Sequence, residues 1–143
     1  MKQLVVLLFS EYPQLSQTYK ENEARALLPH CEVKIVSIGK YNTSYKECLP
    51  YEHSNNKTEL YSIFQQIAKF DPKIIHSHYL HMTFMAHRAS MICGCKYSIR
   101  THSFDVIGKS LDYISQFKDA INSDRCCGII CFPFLKKNLL KPE

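Results

Sequence analysis

The sequence predicts an α/β domain in which a parallel sheet is covered by helices on both faces. Short aliphatic or β-branched runs recur along the chain, and segments with apolar residues at helical spacing separate them. The first run, Leu4–Leu8, does not alternate between polar and apolar residues, which is typical of a strand buried on both faces. A regular succession of strands and helices favours parallel pairing, because each crossover connection lays a helix on the sheet.

The first part of the chain contains two predicted strands and one predicted helix. Lys2–Phe9 is the first strand, and Ser10–Leu15 is a loop that holds a proline. Ser16 is expected to cap a helix whose first turns are acidic, which suits the positive end of a helix. Glu32–Ile38 alternates and is rich in β-branched residues, which predicts the second strand. Gly39–Asn56 is polar and rich in turn residues, and is predicted to be a surface loop.

Three more strands alternate with helices in the remainder. Thr58–Phe70 carries apolar residues at helical spacing, and the helix is expected to end before Pro72, since proline disfavours helix in the preceding residue. Thr83–Cys93 is predicted to be a helix closed by Gly94. The other predicted strands are Lys73–Ser77, Lys96–Thr101 and Gly128–Phe132, and the other predicted helices are Leu111–Ile121 and Phe134–Leu140.

Size and charge set limits on the class of protein. A chain of 143 residues predicts one domain, here a single Rossmann-like domain over residues 1–143, and it is long enough to bury a core without metal or disulfide staples. The net charge of +5 is mild and suits a phosphate-bearing ligand or peripheral contact with anionic lipid. Because the basic residues form no stripe interleaved with aromatic residues, nucleic acid is not an expected partner.

Localisation and cysteine chemistry follow from two further features. The apolar run at the N-terminus is short and lacks the small-residue cleavage site of a signal peptide, so the predicted location is the cytoplasm, with peripheral contact at the inner face of the membrane.

The seven cysteines are odd in number and lack zinc-ribbon spacing. They are predicted to be free, buried thiols in a reducing compartment.

Ligands of parallel α/β sheets bind at the carboxyl ends of the strands. Four segments therefore become candidates: the loop Ser10–Thr18, the turn His78–Thr83, the segment Thr101–Asp105 and the chain near Pro133. Neither a Gly-x-Gly-x-x-Gly fingerprint nor a P-loop is present, which disfavours dinucleotides and ATP.

Histidines stand out at two of these strand ends. His76 and His78 alternate on one strand and share a face, so a zinc site is conceivable, but no nearby carboxylate completes it and His81 lies past the strand end. Hydrogen bonds from these imidazoles to backbone are the commoner outcome. His102 and Asp105 could face one pocket, where the imidazole bonds a sugar hydroxyl and the carboxylate orients it. A simple helix cap by Asp105 explains that pair equally well.

Taken together, the segments resemble the N-terminal domain of retaining GT-B glycosyltransferases of the exopolysaccharide and colanic-acid type. Tyr12–Tyr19 and Asn22–Leu27 resemble the aromatic-Pro-x-x-Ser-Glu-Thr-Phe motif and its Asn-Glu-x-x-Ala-Leu continuation. Ile74–Tyr79 resembles a strand that ends in His-x-His and an aromatic residue. Ser98–Asp105 resembles the Thr-x-His-Gly-x-Asp segment, and Ile129–Leu139 resembles the strand that follows it. The motifs occur in the family's order and cover nearly the whole chain.

The resemblance implies a role for each matched residue. The domain would bind a glycan or lipid-linked acceptor, with His102 beside the transferred sugar and Asp105 supporting its loop as the catalytic pair. A nucleotide sugar would be the co-substrate, and neither a cofactor nor a metal is expected. The implied substrate-binding residues are Ser16, Thr18, His78 and Thr101.

The chain departs from the family pattern in several places. Ser103 replaces the usual Gly, Gln17 replaces the usual Glu, and Pro133 stands about where a Ser is usual. No Glu-x7-Glu motif occurs in the 143 residues. The expectation is an acceptor-side half of the enzyme, truncated at its C-terminal end. Its transfer activity is expected to be negligible unless a separate donor-binding domain or chain completes it. In such enzymes the donor-binding half stabilises the charge that develops on the leaving group.

Two other functions remain open from the residues alone. One is a non-catalytic, flavodoxin-like module that binds a phosphorylated small molecule or a partner protein at the same strand ends. The other is a metal hydrolase that uses His76, His78, His102 and Asp105.

Overall fold

The computed structural model describes residues 2–14, 17–39, 48–53 and 60–136. These form an α/β domain with an all-parallel, six-stranded sheet flanked by helices, which confirms the predicted fold class. The strands are β1 Leu4–Phe9, β2 Glu32–Ser37, β3 Glu52–His53, β4 Ile74–His78, β5 Lys96–Arg100 and β6 Cys126–Ile130. The helices are α1 Thr18–Leu27, α2 Leu60–Ala68, α3 Thr83–Cys93, α4 Ser103–Val106, α5 Leu111–Ser115 and α6 Lys118–Ile121.

The strand order of the sheet is β3-β2-β1-β4-β5-β6. From β1 the chain builds outward in one direction to β3, and from β4 it builds outward in the other direction to β6. The change of direction therefore lies between β1 and β4, whose pairing runs from Val5 with Ile74 to Leu8 with Ser77. In open α/β sheets the crevice outside the carboxyl ends of the strands at this switch point is the usual ligand site.

Each face of the sheet has its own hydrophobic core. On one face Val6, Leu8 and Ile75 pack against side chains of α2 and α3, among them Ile63 and Ala86. On the opposite face Leu7, Phe9 and Ile35 pack with Ala24 of α1 and with Tyr12 from the loop after β1. Alternate residues of β1 thus serve the two cores, which explains why this strand has no polar alternation.

Two glycines are required by the backbone around them. Gly94 has φ 68° and closes α3 in the left-handed conformation, as predicted, with its N–H bonded to the Ser90 carbonyl. Gly39 follows β2 at a close approach to the loop after β1, where an added Cβ would lie 2.5 Å from the Ser10 carbonyl oxygen.

Several predicted boundaries and elements were wrong. The predicted loop Gly39–Asn56 contains the short strand β3, which continues the sheet beyond β2. The predicted helix Leu111–Ile121 is two short helices, α5 and α6, with a turn at Gln116–Phe117 between them. The last strand, predicted at Gly128–Phe132, begins two residues earlier.

Two predicted features lie wholly or partly outside the described residues. Helix α1 begins at Thr18 with Gln17 at the N-cap position, and the predicted cap Ser16 lies outside the described residues. Pro133–Leu135 forms a 3-10 turn, while most of the predicted helix Phe134–Leu140 lies outside the described residues.

The cysteines differ in their exposure to solvent. All seven cysteines are free thiols, as predicted, but only Cys95 is buried, and Cys127 is exposed. Among the described residues, no helix has both the length and the apolar character needed to cross a membrane.

Candidate functional site

The predicted strand-end segments meet at the switch point of the sheet. Strand β4 ends at His78 and β5 ends at Arg100, and the two residues are register partners. The backbone N–H of Tyr79 donates to the Arg100 carbonyl at 2.8 Å, which continues the pairing past the strand ends. Helix α1 places Tyr19 and Glu23 against the same edge of the sheet, because it follows the loop that leaves β1.

A carboxylate from α1 lies among nitrogen atoms of two histidines and an arginine. Glu23 Oε1 is 2.9 Å from His76 Nε2, and Glu23 Oε2 is 3.2 Å from His78 Nε2. Arg100 donates from Nη1 to Glu23 Oε2 at 2.6 Å. The Glu23 side chain is 17% exposed, and those of His76 and His78 are 7% and 1% exposed, so this cluster is shielded from solvent. It couples α1 to both β4 and β5.

Both imidazoles of the cluster use their other nitrogen for a second contact. His76 Nδ1 lies 2.7 Å from Ser98 Oγ, and His78 Nδ1 lies 3.2 Å from His102 Nε2. Each ring therefore presents Nε2 to Glu23, but neither Nε2 contact with the carboxylate has the alignment of a hydrogen bond. The rings are fixed in orientation, and their Nε2 atoms point at one spot.

Asp105 acts as a clamp on the loop after β5. Its Oδ1 accepts from the backbone N–H of His102 at 2.7 Å, and its Oδ2 accepts from the backbone N–H of Leu80. The first contact is the carboxylate half of a capping box for α4, with His102 as the N-cap residue. The second contact crosses to the turn after β4. The last three residues of the segment Thr101–Asp105 begin this short helix, and Asp105 takes part in its cap, as one of the two explanations predicted for the His102 and Asp105 pair.

An aromatic cluster packs against His78 and His102. The Tyr19 ring stacks on His78 with centroids 5.7 Å apart, and the His102 ring lies 4.9 Å from Tyr19 and 4.8 Å from Tyr79. The Tyr19 and Tyr79 hydroxyls are hydrogen-bonded to each other. Phe104 stacks on His102 and is 60% exposed, so the cluster ends in an open aromatic face.

Tyr79 is held in a strained conformation at this site. Its φ of 73° is in the left-handed region, which is unfavourable for a bulky residue with a Cβ. Strain of this kind persists only where the surroundings enforce it, and it occurs preferentially at ligand sites. Here the enforcing contacts are the backbone bond to Arg100 and the buried phenol ring.

The electrostatics keep the outer histidine neutral. Burial lowers the pKa of His102 to about 4, and nearby positive charge from His78 and Arg100 acts in the same direction. Burial also lowers the pKa of His78, against the effect of Glu23. Burial alone would raise the pKa of Glu23, but its contacts with the His76 and His78 rings outweigh burial and hold that pKa well below the usual range.

A buried lysine lies beside the aromatic cluster. Lys20 is 1% exposed, and its Nζ donates to the Glu11 carbonyl at 2.9 Å and lies over the rings of Phe9 and Tyr79. Burial lowers its pKa to about 8. The loop after β1 is therefore attached to α1 by an ammonium group inside the protein.

The structure brings some of the predicted site residues together and separates others. His78, His102 and Asp105 belong to one connected cluster. Thr18 is exposed at the start of α1, and Thr101 is buried with its hydroxyl 3.5 Å from the Ile130 carbonyl oxygen. Ser16 lies outside the described residues.

Sequence reasoning missed the carboxylate that completes the histidine pair. The expectation that no carboxylate accompanies His76 and His78 was wrong, because Glu23 approaches them from a helix far away in the sequence. Arg100 was missed in the same way. The handedness rule for crossover connections does not specify which residues of the first helix reach β4 and β5.

No model of a known protein family matches the chain, and no curated protein matches it significantly in sequence. The function is therefore inferred from the fold and from the site.

Proposed function

We propose that the chain is the acceptor-side domain of a GT-B glycosyltransferase, an enzyme that moves a sugar from a nucleotide-sugar donor to a glycan or lipid-linked acceptor. The observation that carries the proposal is the convergence of three separate motif segments at the switch point. Tyr19 and Glu23 of the first motif contact His76 and His78 of the second and His102 of the third. Such convergence is expected if the motifs serve one cleft.

The chemistry at the open end of the cluster suits a sugar. The low pKa of His102 keeps its ring neutral at physiological pH, so an uncharged sugar would lie against an uncharged imidazole. The exposed ring of Phe104 beside it offers the apolar surface against which a pyranose face packs. Asp105 fixes the backbone of His102, so a hydroxyl held there would meet a ring of defined position.

Binding of the acceptor is the function to test on this chain. We expect ligand-detected saturation-transfer NMR to find members of a panel of oligosaccharides and polyprenyl-phosphate-linked sugars that bind the purified chain. His102→Ala should weaken that binding at least tenfold. His30→Ala is the matched control, because His30 is an exposed histidine that precedes β2 at the opposite end of the strands, and it should leave binding unchanged.

Two outcomes would refute the proposal. If no sugar in the panel binds while a phosphorylated non-sugar compound does, the cleft belongs to a small-molecule binding module. If sugars bind equally well to His102→Ala, the cleft described here is not where they bind. Transfer itself is expected only when a donor-binding domain is supplied with the nucleotide sugar, because the Glu-x7-Glu motif is not among these 143 residues.

A further inference from the structure

We propose that Glu23, His76 and His78 form a binding site for a divalent transition-metal ion, with zinc as the ion to test first. Each of these residues offers one ligand atom, and the three atoms lie within 4.8 Å of one another. The site is distinct from the sugar-binding role proposed for His102 and Phe104, and it needs no acceptor to form.

The ligand set is one that such ions use. Two imidazole nitrogens and one carboxylate oxygen, with a position left for solvent, are found in both zinc and non-haem iron sites. Hard ions such as Mg²⁺ prefer sites made only of oxygen, so two histidines favour a transition metal.

The distances are close to those that a bound ion requires. Tetrahedral zinc with bonds of about 2.0–2.1 Å separates neighbouring ligand atoms by about 3.3 Å. Glu23 Oε1 is 2.9 Å from His76 Nε2, and Glu23 Oε2 is 3.2 Å from His78 Nε2. These two contacts use different carboxylate oxygens, and the three ligand atoms lie within 4.8 Å of one another, so the three side chains must move closer together to bind the ion.

The histidines are also prepared as ligands by their other contacts. Ligating imidazoles usually hold their second nitrogen in a hydrogen bond, which fixes the tautomer and the ring orientation. His76 has that contact with Ser98 Oγ, and His78 has it with His102 Nε2. The two Nε2 atoms are buried and have no aligned hydrogen-bond partner among the described residues, which is unusual for buried polar atoms. A metal ion would satisfy both.

Arg100 sets the strength of the site. Its guanidinium donates to Glu23 Oε2 at 2.6 Å, so a cation already shares the carboxylate that the metal would use. Repulsion between the guanidinium and a doubly charged ion weakens binding. Removing this charge is therefore expected to tighten metal binding, a result that a purely structural network would not produce.

The experiment uses the full chain after treatment with a chelator. We expect calorimetric titration with ZnCl₂ to show one site per chain, and CoCl₂ to give visible absorption bands of a nitrogen and oxygen site. Glu23→Gln, which keeps the shape of the side chain, should weaken binding at least tenfold. Arg100→Met should tighten binding several-fold, and His30→Gln should change nothing.

The seven free cysteines require a control, since thiolates bind both ions. Charge-transfer bands of cobalt thiolate, or zinc affinity that persists in Glu23→Gln, would overturn the proposal by placing the ion on cysteines. Absence of binding to a chain whose circular dichroism shows the native fold would also overturn it, and the cluster would then be only a polar link between α1 and the sheet. Because neither ion is needed in the sugar-binding experiment, the two proposals fail independently.

Discussion

Replacing Asp105 by alanine removes the clamp that holds the loop after β5 against the turn after β4. Its two carboxylate oxygens accept from the backbone N–H groups of His102 and Leu80. Asp105 is 2% exposed and Leu80 is fully buried, so water does not readily replace the lost acceptors. Asp105→Ala therefore leaves two backbone donors unsatisfied, one in the loop after β5 and one in the turn after β4.

The size of the effect follows from those two donors. Each buried donor left without a partner costs about 1–3 kcal/mol. Part of that loss is recovered, because burial raises the pKa of Asp105 above its usual value, so the buried ionised carboxylate is itself costly. We expect the free energy of unfolding to fall by about 2–4 kcal/mol at pH 7.

The pH dependence has a definite sign. The pKa of Asp105 is raised in the folded chain, so the carboxyl binds its proton more tightly there than in the unfolded chain. Its contribution to the free energy of unfolding is therefore largest below the pKa of the unfolded chain, and it declines as pH rises through the pKa of the folded chain. The stability difference between the natural chain and Asp105→Ala should therefore widen as pH is lowered from 7 towards 4.

Urea unfolding followed by far-ultraviolet circular dichroism measures both effects. Asp119→Ala is the control, because Asp119 is exposed, and it should change stability by less than about 0.5 kcal/mol. A loss below about 1 kcal/mol for Asp105→Ala, or a difference that narrows in acid, would refute the assigned role of the clamp.

Two further substitutions test the packing around the first loop. Gly39→Ala should lower the free energy of unfolding by about 1–3 kcal/mol, because the added Cβ would lie 2.5 Å from the Ser10 carbonyl oxygen. Gly128→Ala is the control for the same urea titration. A Cβ added at Gly128 would have no atom within 4 Å, so that change should be nearly neutral. Lys20→Met should raise the free energy of unfolding by about 1 kcal/mol at pH 7. The pKa of Lys20 is lowered from 10.5 to about 8, which means that burying its charge costs about 3 kcal/mol. Loss of the hydrogen bond to the Glu11 carbonyl offsets part of the gain from removing that charge. The pKa of Lys20 is lower in the folded chain than in the unfolded chain, so the extra stability of Lys20→Met should shrink as pH rises above 8. A Lys20→Met variant less stable than the natural chain at pH 7 would contradict this account.

The core of the fold could be predicted because its signals are local. The aliphatic run of β1 marks a strand buried on both faces, and α3 was predicted with its observed bounds and its closing Gly94. Strand β3 has no local pattern from which it could be predicted. It consists of only Glu52 and His53, and it is defined by pairing with β2. The helix predicted over Leu111–Ile121 is divided by a turn at Gln116–Phe117, which the spacing of its apolar residues does not reveal.

The candidate site was predicted only in part. The strand ends that carry His78, His102 and Asp105 follow from the rule that ligands bind at carboxyl edges, and these residues do lie together. The partnership of Glu23 with Arg100 and the histidines depends on how α1 crosses the sheet, which no local pattern encodes.

The most direct test of the proposed acceptor cleft is a map of where a bound sugar lies. Backbone amide and histidine ring signals of the isotopically labelled chain should be followed by NMR while the best sugar from the panel is added. We predict that the largest shifts fall on Tyr19, Tyr79, His102 and Phe104. Shifts concentrated around His30, at the other end of the strands, or the absence of any saturable shift, would contradict the assignment of this cleft to a sugar acceptor.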